Sequence, residues 1–203
     1  MIAKSAHALA FVLTSALLLP AQSVPPPPKP SDSGPSLEVT MKYIQEKLNA
    51  QGVLSWMSWY RNTQPPGASQ WAGQSSTPTP ESEEVADATP DPKGCALRVR
   101  FKTTYNSKAN TDQDASISFK EIEKLEVTTL QEEFQRYRVI PPGNPDIRAE
   151  VSPEIWVLLV RFANNPGQRL DFKFLDPDAA NRMAKAMMRA TELCGGGDDD
   201  PFK

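Results

Sequence analysis

Twenty of the 203 residues are proline, and where they fall limits the fold more tightly than any other feature of the chain. They crowd the segment before residue 36 and the stretch from Pro65 to Pro92. Proline has no backbone N–H and a fixed φ, so it breaks helix interiors and is confined to the edges and ends of sheets. The first segment therefore reads as a spacer, and residues 62–94, also rich in Ser and Thr, read as one long polar loop. A loop of that length is uncommon in a compact domain unless it holds a short element of its own; Glu81 to Ala88, as an edge strand, is the candidate. What remains, residues 36–195, suffices for a single domain of ordinary size.

Near the start, Lys4 precedes an apolar run from Ala8 to Leu19, followed by Pro20-Ala21-Gln22-Ser23. That is the charged, apolar and small-residue order of a secretory signal, so residues 1–23 are expected to be a signal peptide cleaved after Ala21 or Ser23. The apolar run is about twelve residues, short of the roughly twenty a spanning helix needs. No later segment is apolar for that length, so no membrane span is expected, and the trimmed chain should be soluble, secreted or periplasmic. The first cysteine is Cys95, too far from the apolar run for a lipid anchor there. Residues 24–35 carry Pro25 to Pro28 and Pro30, which favours an extended, stiff tether; as a peptide ligand the segment would need an aromatic-lined partner groove.

Charge and missing residue types exclude much. Lys and Arg number 22 against 25 Asp and Glu, too even a balance for a nucleic-acid binder, whose basic residues are numerous and clustered. The single histidine is His7, inside the expected signal, so the trimmed chain has no imidazole. Ser-His-Asp and Cys-His nucleophile systems need that base, and common zinc sites need His or clustered Cys. Gly195-Gly196-Gly197 follows a helix rather than opening one, so it cradles no phosphate and reads as a frayed end. No cofactor, metal site or catalytic residue is expected. The two cysteines, Cys95 and Cys194, are expected to form a disulfide, as an even pair in an exported chain does. Closing a loop of about 100 residues adds roughly 4–5 kcal/mol in the chain-entropy model.

The apolar spacing predicts the elements. Ser36 caps a helix whose stripe is Leu37, Met41, Ile44 and Leu48, ended by Gly52. Val53 to Tyr60 reads as a strand with apolar groups, and hence cover, on both faces. Cys95 to Thr104 alternates as a half-buried antiparallel strand, and polar Asn106 to Asp112 turns it into Ala115 to Phe119. Glu121 to Val127 fits strand or helix, and Leu130 to Tyr137 a short helix outside the core. Ile147 to Val151, Ile155 to Phe162 and Leu170 to Phe174 read as a meander, with turns at Pro153 and at Asn164 to Gly167. Asp176-Pro177-Asp178 gives a cap, a first-turn proline and a favourable charge, so a helix starts there and runs to Cys194 with Met183, Met187 and Ala190 facing inward. The fold class is α+β: an antiparallel sheet or split barrel of about six or seven strands with an N-terminal helix and a C-terminal capping helix. Residues 196–203, with Asp198 to Asp200, are expected to be a disordered tail.

The string from Ser36 to Asn49, together with Phe172 to Met187 and Glu192-Leu-Cys-Gly-Gly, resembles a group of uncharacterised exported bacterial proteins. The order of antiparallel strands closed by one helix also resembles the pleckstrin-homology-like barrel. These resemblances imply the fold and export and transfer no site.

Two kinds of candidate residue remain. Trp56, Trp59, Tyr60 and Trp71 could form an aromatic ligand face, although in a strand such residues are more often core. Carboxylates could serve a hydrolase, which needs no histidine, but Glu132 and Glu133 fall on a helix expected to be exposed, and Asp176 and Asp178 are explained by capping. Asp112 and Asp114 lack the other ligands of a calcium loop. The functional expectation is an exported, non-enzymatic domain that contacts a protein or a cell-envelope component. The alternative is a carboxylate-based hydrolase or a sugar-binding module using Trp side chains. A binding module calls for an exposed aromatic patch, and a hydrolase for two carboxylates in one cleft.

Overall fold

In the computed structural model the described residues are 34–109, 112–137 and 146–196. The expected signal peptide, the linker up to residue 33, and Gly197 onward lie outside them, and so do Asp198 to Asp200. Helix α1 (Leu37–Asn49) opens at Ser36, whose Oγ accepts the Val39 N–H, and buries Met41, Ile44 and Leu48. After it come β1 (Val53–Asn62), β2 (Thr79–Asp91), β3 (Ala96–Tyr105), β4 (Lys108–Ala109), β5 (Gln113–Ser118), β6 (Ile122–Thr129), α2 (Leu130–Tyr137), β7 (Ile147–Ser152), β8 (Trp156–Phe162), β9 (Asn165–Phe174) and α3 (Pro177–Leu193).

The class is α+β with antiparallel pairing, but the strands make two sheets, and these do not close into a barrel. One has six strands in the order β4-β3-β2-β1-β7, with β5 also on β3; the other has three in the order β6-β8-β9. The expected meander is broken at Pro153: β7 pairs with β1 in the large sheet, while β8 pairs with β6 and β9 in the small one. Of β7, β8 and β9, only β8 and β9 form a hairpin, with Phe162 opposite Asn165, which puts the turn slightly upstream of where Pro166 suggested.

The largest correction concerns the polar loop. Its second part is β2, an interior strand paired to both β1 and β3. Pro80 is opposite Met57 of β1 and Pro90 opposite Leu97 of β3, each at a register position where β2 has only one partner strand. The prolines thus stand where a missing N–H is tolerated, and between them Glu81 to Glu84 pair on both sides while Val85 to Thr89 pair with β3 alone. A bulge between Val85 and Asp87 shifts its register. Asn49 of α1 clips this region by accepting the Ala88 N–H and donating to the Ala88 carbonyl. Strand β1 is not covered on both faces either: Leu54, Trp56 and Ser58 are buried, whereas Val53 and Met57 are exposed.

Two apolar cores result. The larger joins α1 and α3 to Leu97, Val99, Phe101 and Ile117 of the large sheet and to Leu125, Leu158 and Phe172 of the small one. Cys95 and Cys194 are disulfide-bonded at its rim, with Cα atoms 5.8 Å apart. The two described glycines after α3 are packed rather than frayed: Gly195 takes φ +74°, and a Cβ on Gly196 would come within 2.9 Å of the Phe119 carbonyl. The smaller core joins Leu54 and Trp56 of β1, Ala149 of β7, and Val157 and Leu159 of β8 to Leu130 and Phe134 of α2. That helix is therefore not outside the core. A reciprocal capping box sets its start, with Thr129 Oγ1 accepting the Glu132 N–H and Glu132 accepting the Thr129 N–H. Its Gln135 amide bonds the backbone of Ile147 and Ala149 on β7.

Candidate functional site

Strand alternation builds a polar cleft between the two sheets. On β9, Leu170, Phe172 and Phe174 face the larger core, so the period of two throws Arg169, Asp171 and Lys173 to the other side, where all three line a cleft of about 300 Å³. Facing them on β2 are Glu81 and Glu83. The register places Trp56, Glu81 and Tyr105 in one row across β1, β2 and β3. Tyr105 ends β3 at a tight turn in which Asn106 and Ser107 both take positive φ, and its ring is half exposed at the cleft.

Charge in the cleft is paired. Lys173 Nζ is 2.6 Å from Glu83 Oε2 and 2.9 Å from Asp171 Oδ2, a tie between the two sheets, and the Gln51 side-chain amide donates to the Lys173 carbonyl. Burial works to lower the Lys173 pKa, but Asp171 and Glu83 together outweigh it and hold the ammonium above its ordinary value. Burial also pushes the Glu83 carboxyl up, more than Lys173 pulls it down. Glu133 of α2, only 5% exposed, reaches the cleft and accepts from Arg169 at 2.9 Å and Arg136 at 3.4 Å. Burial raises its pKa as well, against the pull of Arg169 and Arg136. Glu81 accepts the Ser58 hydroxyl at 2.5 Å. Trp56, 6% exposed, lines the cleft with the Lys173 ammonium 5.6 Å from its ring, and its indole N–H is buried without an acceptor.

The aromatic residues singled out from sequence do not share one face. Trp56 and Tyr60 point into the smaller core side of β1, Trp59 to the opposite side, and Trp71 is in the connection before β2 with 60% exposure. Of these four only Trp56 reaches the cleft. Glu132 accepts from Thr128 and Thr129, Asp176 caps α3, and Asp114 pairs with the exposed Arg100, so those carboxylates are structural. Glu133, expected to be exposed, is instead buried because it stands three residues after Leu130, on the side of α2 that packs against the smaller core. Sequence reasoning missed Glu81, Glu83, Tyr105, Arg169, Asp171 and Lys173. The charged alternation Arg169-Asp171-Lys173 between Leu170, Phe172 and Phe174 was the available signal.

Among the described residues no group of three or more His, Cys, Asp or Glu is placed to hold a metal ion, and no helix is long and apolar enough to cross a membrane. Compared with protein-family models, with curated proteins and with solved structures, the chain matches none.

Proposed function

We propose that the chain is an exported, non-enzymatic binding domain whose intersheet cleft receives a ligand or a projecting group of a protein or envelope partner. Support for export comes from the charged, apolar and small-residue order of residues 1–23 and from the disulfide, which persists in oxidising compartments. The order of antiparallel strands followed by a C-terminal helix is what supports the pleckstrin-homology-like resemblance, with the strands in two sheets rather than a closed barrel.

The observation that carries the binding reading is the Trp56 indole N–H, a buried donor with no acceptor in the wall of a concave polar cleft. Such a donor costs about 1–3 kcal/mol unless something accepts from it, and a ligand that opens the cleft wall to the indole would do so. Binding rather than hydrolysis is favoured because the cleft carboxylates have donors in place: Ser58 for Glu81, Lys173 for Glu83 and Asp171, and Arg169 and Arg136 for Glu133. Ser58 itself is buried and does not line the cleft, so it is no nucleophile.

The test compares the full chain with Trp56→Phe, which keeps an aromatic ring and deletes the donor. Soluble fragments of digested cell envelope should raise the unfolding temperature of the wild type and have little effect on the variant. Equal responses, or none from the wild type, would overturn the reading. One observation favours a hydrolase as second reading, the upward-shifted Glu133 beside Asp171 in the same cleft; it requires that Glu133→Gln abolish bond cleavage in those fragments while binding persists.

A further inference from the structure

The row Trp56-Glu81-Tyr105 says more about what the cleft accepts. Three ligand chemistries compete: anionic, cationic, and neutral with many hydroxyls. Four carboxylates against two cations line the cleft, Glu81, Glu83, Glu133 and Asp171 against Arg169 and Lys173, so an anion would enter against the local field. A cation would compete with Lys173 for Glu83 and Asp171 and with Arg169 for Glu133, each pair within 3 Å, and would bring a further positive charge beside them. Hydroxyls suit both kinds of polar group in the wall. Each both donates and accepts, whereas the indole N–H is only a donor and an ionised carboxylate only an acceptor with about four lone-pair positions. One hydroxylated ligand can therefore accept from Trp56 and donate to Glu81 while Lys173 and Arg169 keep the carboxylates they hold.

The third member of the row supplies the apolar contact. Tyr105 is the exposed aromatic of the cleft, at 50%, and its ring offers the flat, amphipathic surface on which the C–H face of a pyranose packs. Trp56 cannot stack in this way, since its ring is buried and one side is approached by Lys173.

Resting on the reading of the cleft as a binding site, we infer that its ligand is a neutral sugar, held by stacking on Tyr105 and by hydrogen bonds to Glu81 and the Trp56 indole.

The experiment follows the indole N–H signals of the ¹⁵N-labelled full chain, with the Trp56 signal assigned from Trp56→Phe. The probes are tetrasaccharides of glucose, of N-acetylglucosamine and of mannose, with spermidine as the cation and a sulfated disaccharide as the anion. At least one neutral tetrasaccharide should shift the Trp56 signal to saturation. Tyr105→Ala should weaken that binding at least tenfold, and Tyr105→Phe should retain it, since the ring rather than the hydroxyl does the stacking. If spermidine or the sulfated sugar moves the signal and no neutral sugar does, the sugar inference is wrong while the cleft reading stands. Should no probe move it, and envelope fragments also fail to protect the fold, both fall. A sugar that binds equally well to Tyr105→Ala also overturns the inference.

Discussion

The two faces of β9 separate what holds this protein together from what it offers to a partner. One face, Leu170, Phe172 and Phe174, is pressed into the larger core, with the Phe172 ring 5.6 Å from that of Phe101. The other, Arg169, Asp171 and Lys173, spends the same backbone on ion pairs across a cleft. Residues one apart in sequence thus belong to environments governed by opposite rules. Apolar burial rewards tight packing, whereas paired charges near water contribute little net stability and persist where they orient something.

The sharpest way to break this contrast is to truncate one residue from each face. Phe172→Ala should destabilise by about 3–5 kcal/mol, the range for a fully buried aromatic. Asp171→Ala, whose side chain is partly exposed, should cost less than about 1 kcal/mol. Urea denaturation reads both, and comparable losses would show that the cleft face is structural after all.

Lys173 lies between these extremes, because its ammonium is buried although it faces the cleft. Lys173→Ala strands Glu83 without its partner, and a broken buried pair costs about 3–5 kcal/mol. Replacing both members, as Lys173→Met with Glu83→Leu, should recover most of that loss, since well-packed apolar substitutes for a buried pair are often neutral. A double variant no more stable than Lys173→Ala would mean that Lys173 acts through contacts other than Glu83.

Much of the fold was legible in the residues. The caps at Ser36 and Asp176, the stripe of α1 and the alternation of β3 predicted their elements because each is local, decided by neighbours three or four positions away or by a period of two. Strand β2 was illegible for the opposite reason. Its composition is that of a loop, and only pairing on both sides makes it a strand, so tertiary context overrides propensity. The division into two sheets was hidden likewise, because Ile147 to Ser152 and Trp156 to Phe162 look alike in sequence yet choose different neighbours. The cleft was half visible. The charges on β9 could have been marked as a strip, but their partners come from β2 and α2, 90 and 36 residues away, and no periodicity joins segments so distant.

The finest test of the contrast is pH, because Glu83 and Glu133 in the cleft and Glu132 outside it respond with opposite sign. Burial raises Glu83 and Glu133 above the ordinary glutamate range, about 4.3. Between that range and their raised values the folded state binds more protons than the unfolded, so the stability they contribute is full below about pH 4 and is lost as pH rises through the raised values. Glu132 behaves in the reverse way: the Thr128 hydroxyl and the Thr129 N–H lower its pKa, so its contribution is present above the ordinary range and is lost as pH falls through the lowered value. Denaturation from about pH 4 to about pH 7 should therefore show the stability difference between wild type and Glu83→Gln falling as pH rises, with a slope of at most about 1.4 kcal/mol per pH unit between the ordinary and the raised value. The difference between wild type and Glu132→Gln should instead stay nearly constant above about pH 5 and shrink only as pH falls below the ordinary range toward the lowered value. Two differences of the same slope would mean that Lys173 neutralises Glu83 completely, and the cleft would then present to a ligand a fixed ion pair rather than a carboxyl poised by burial.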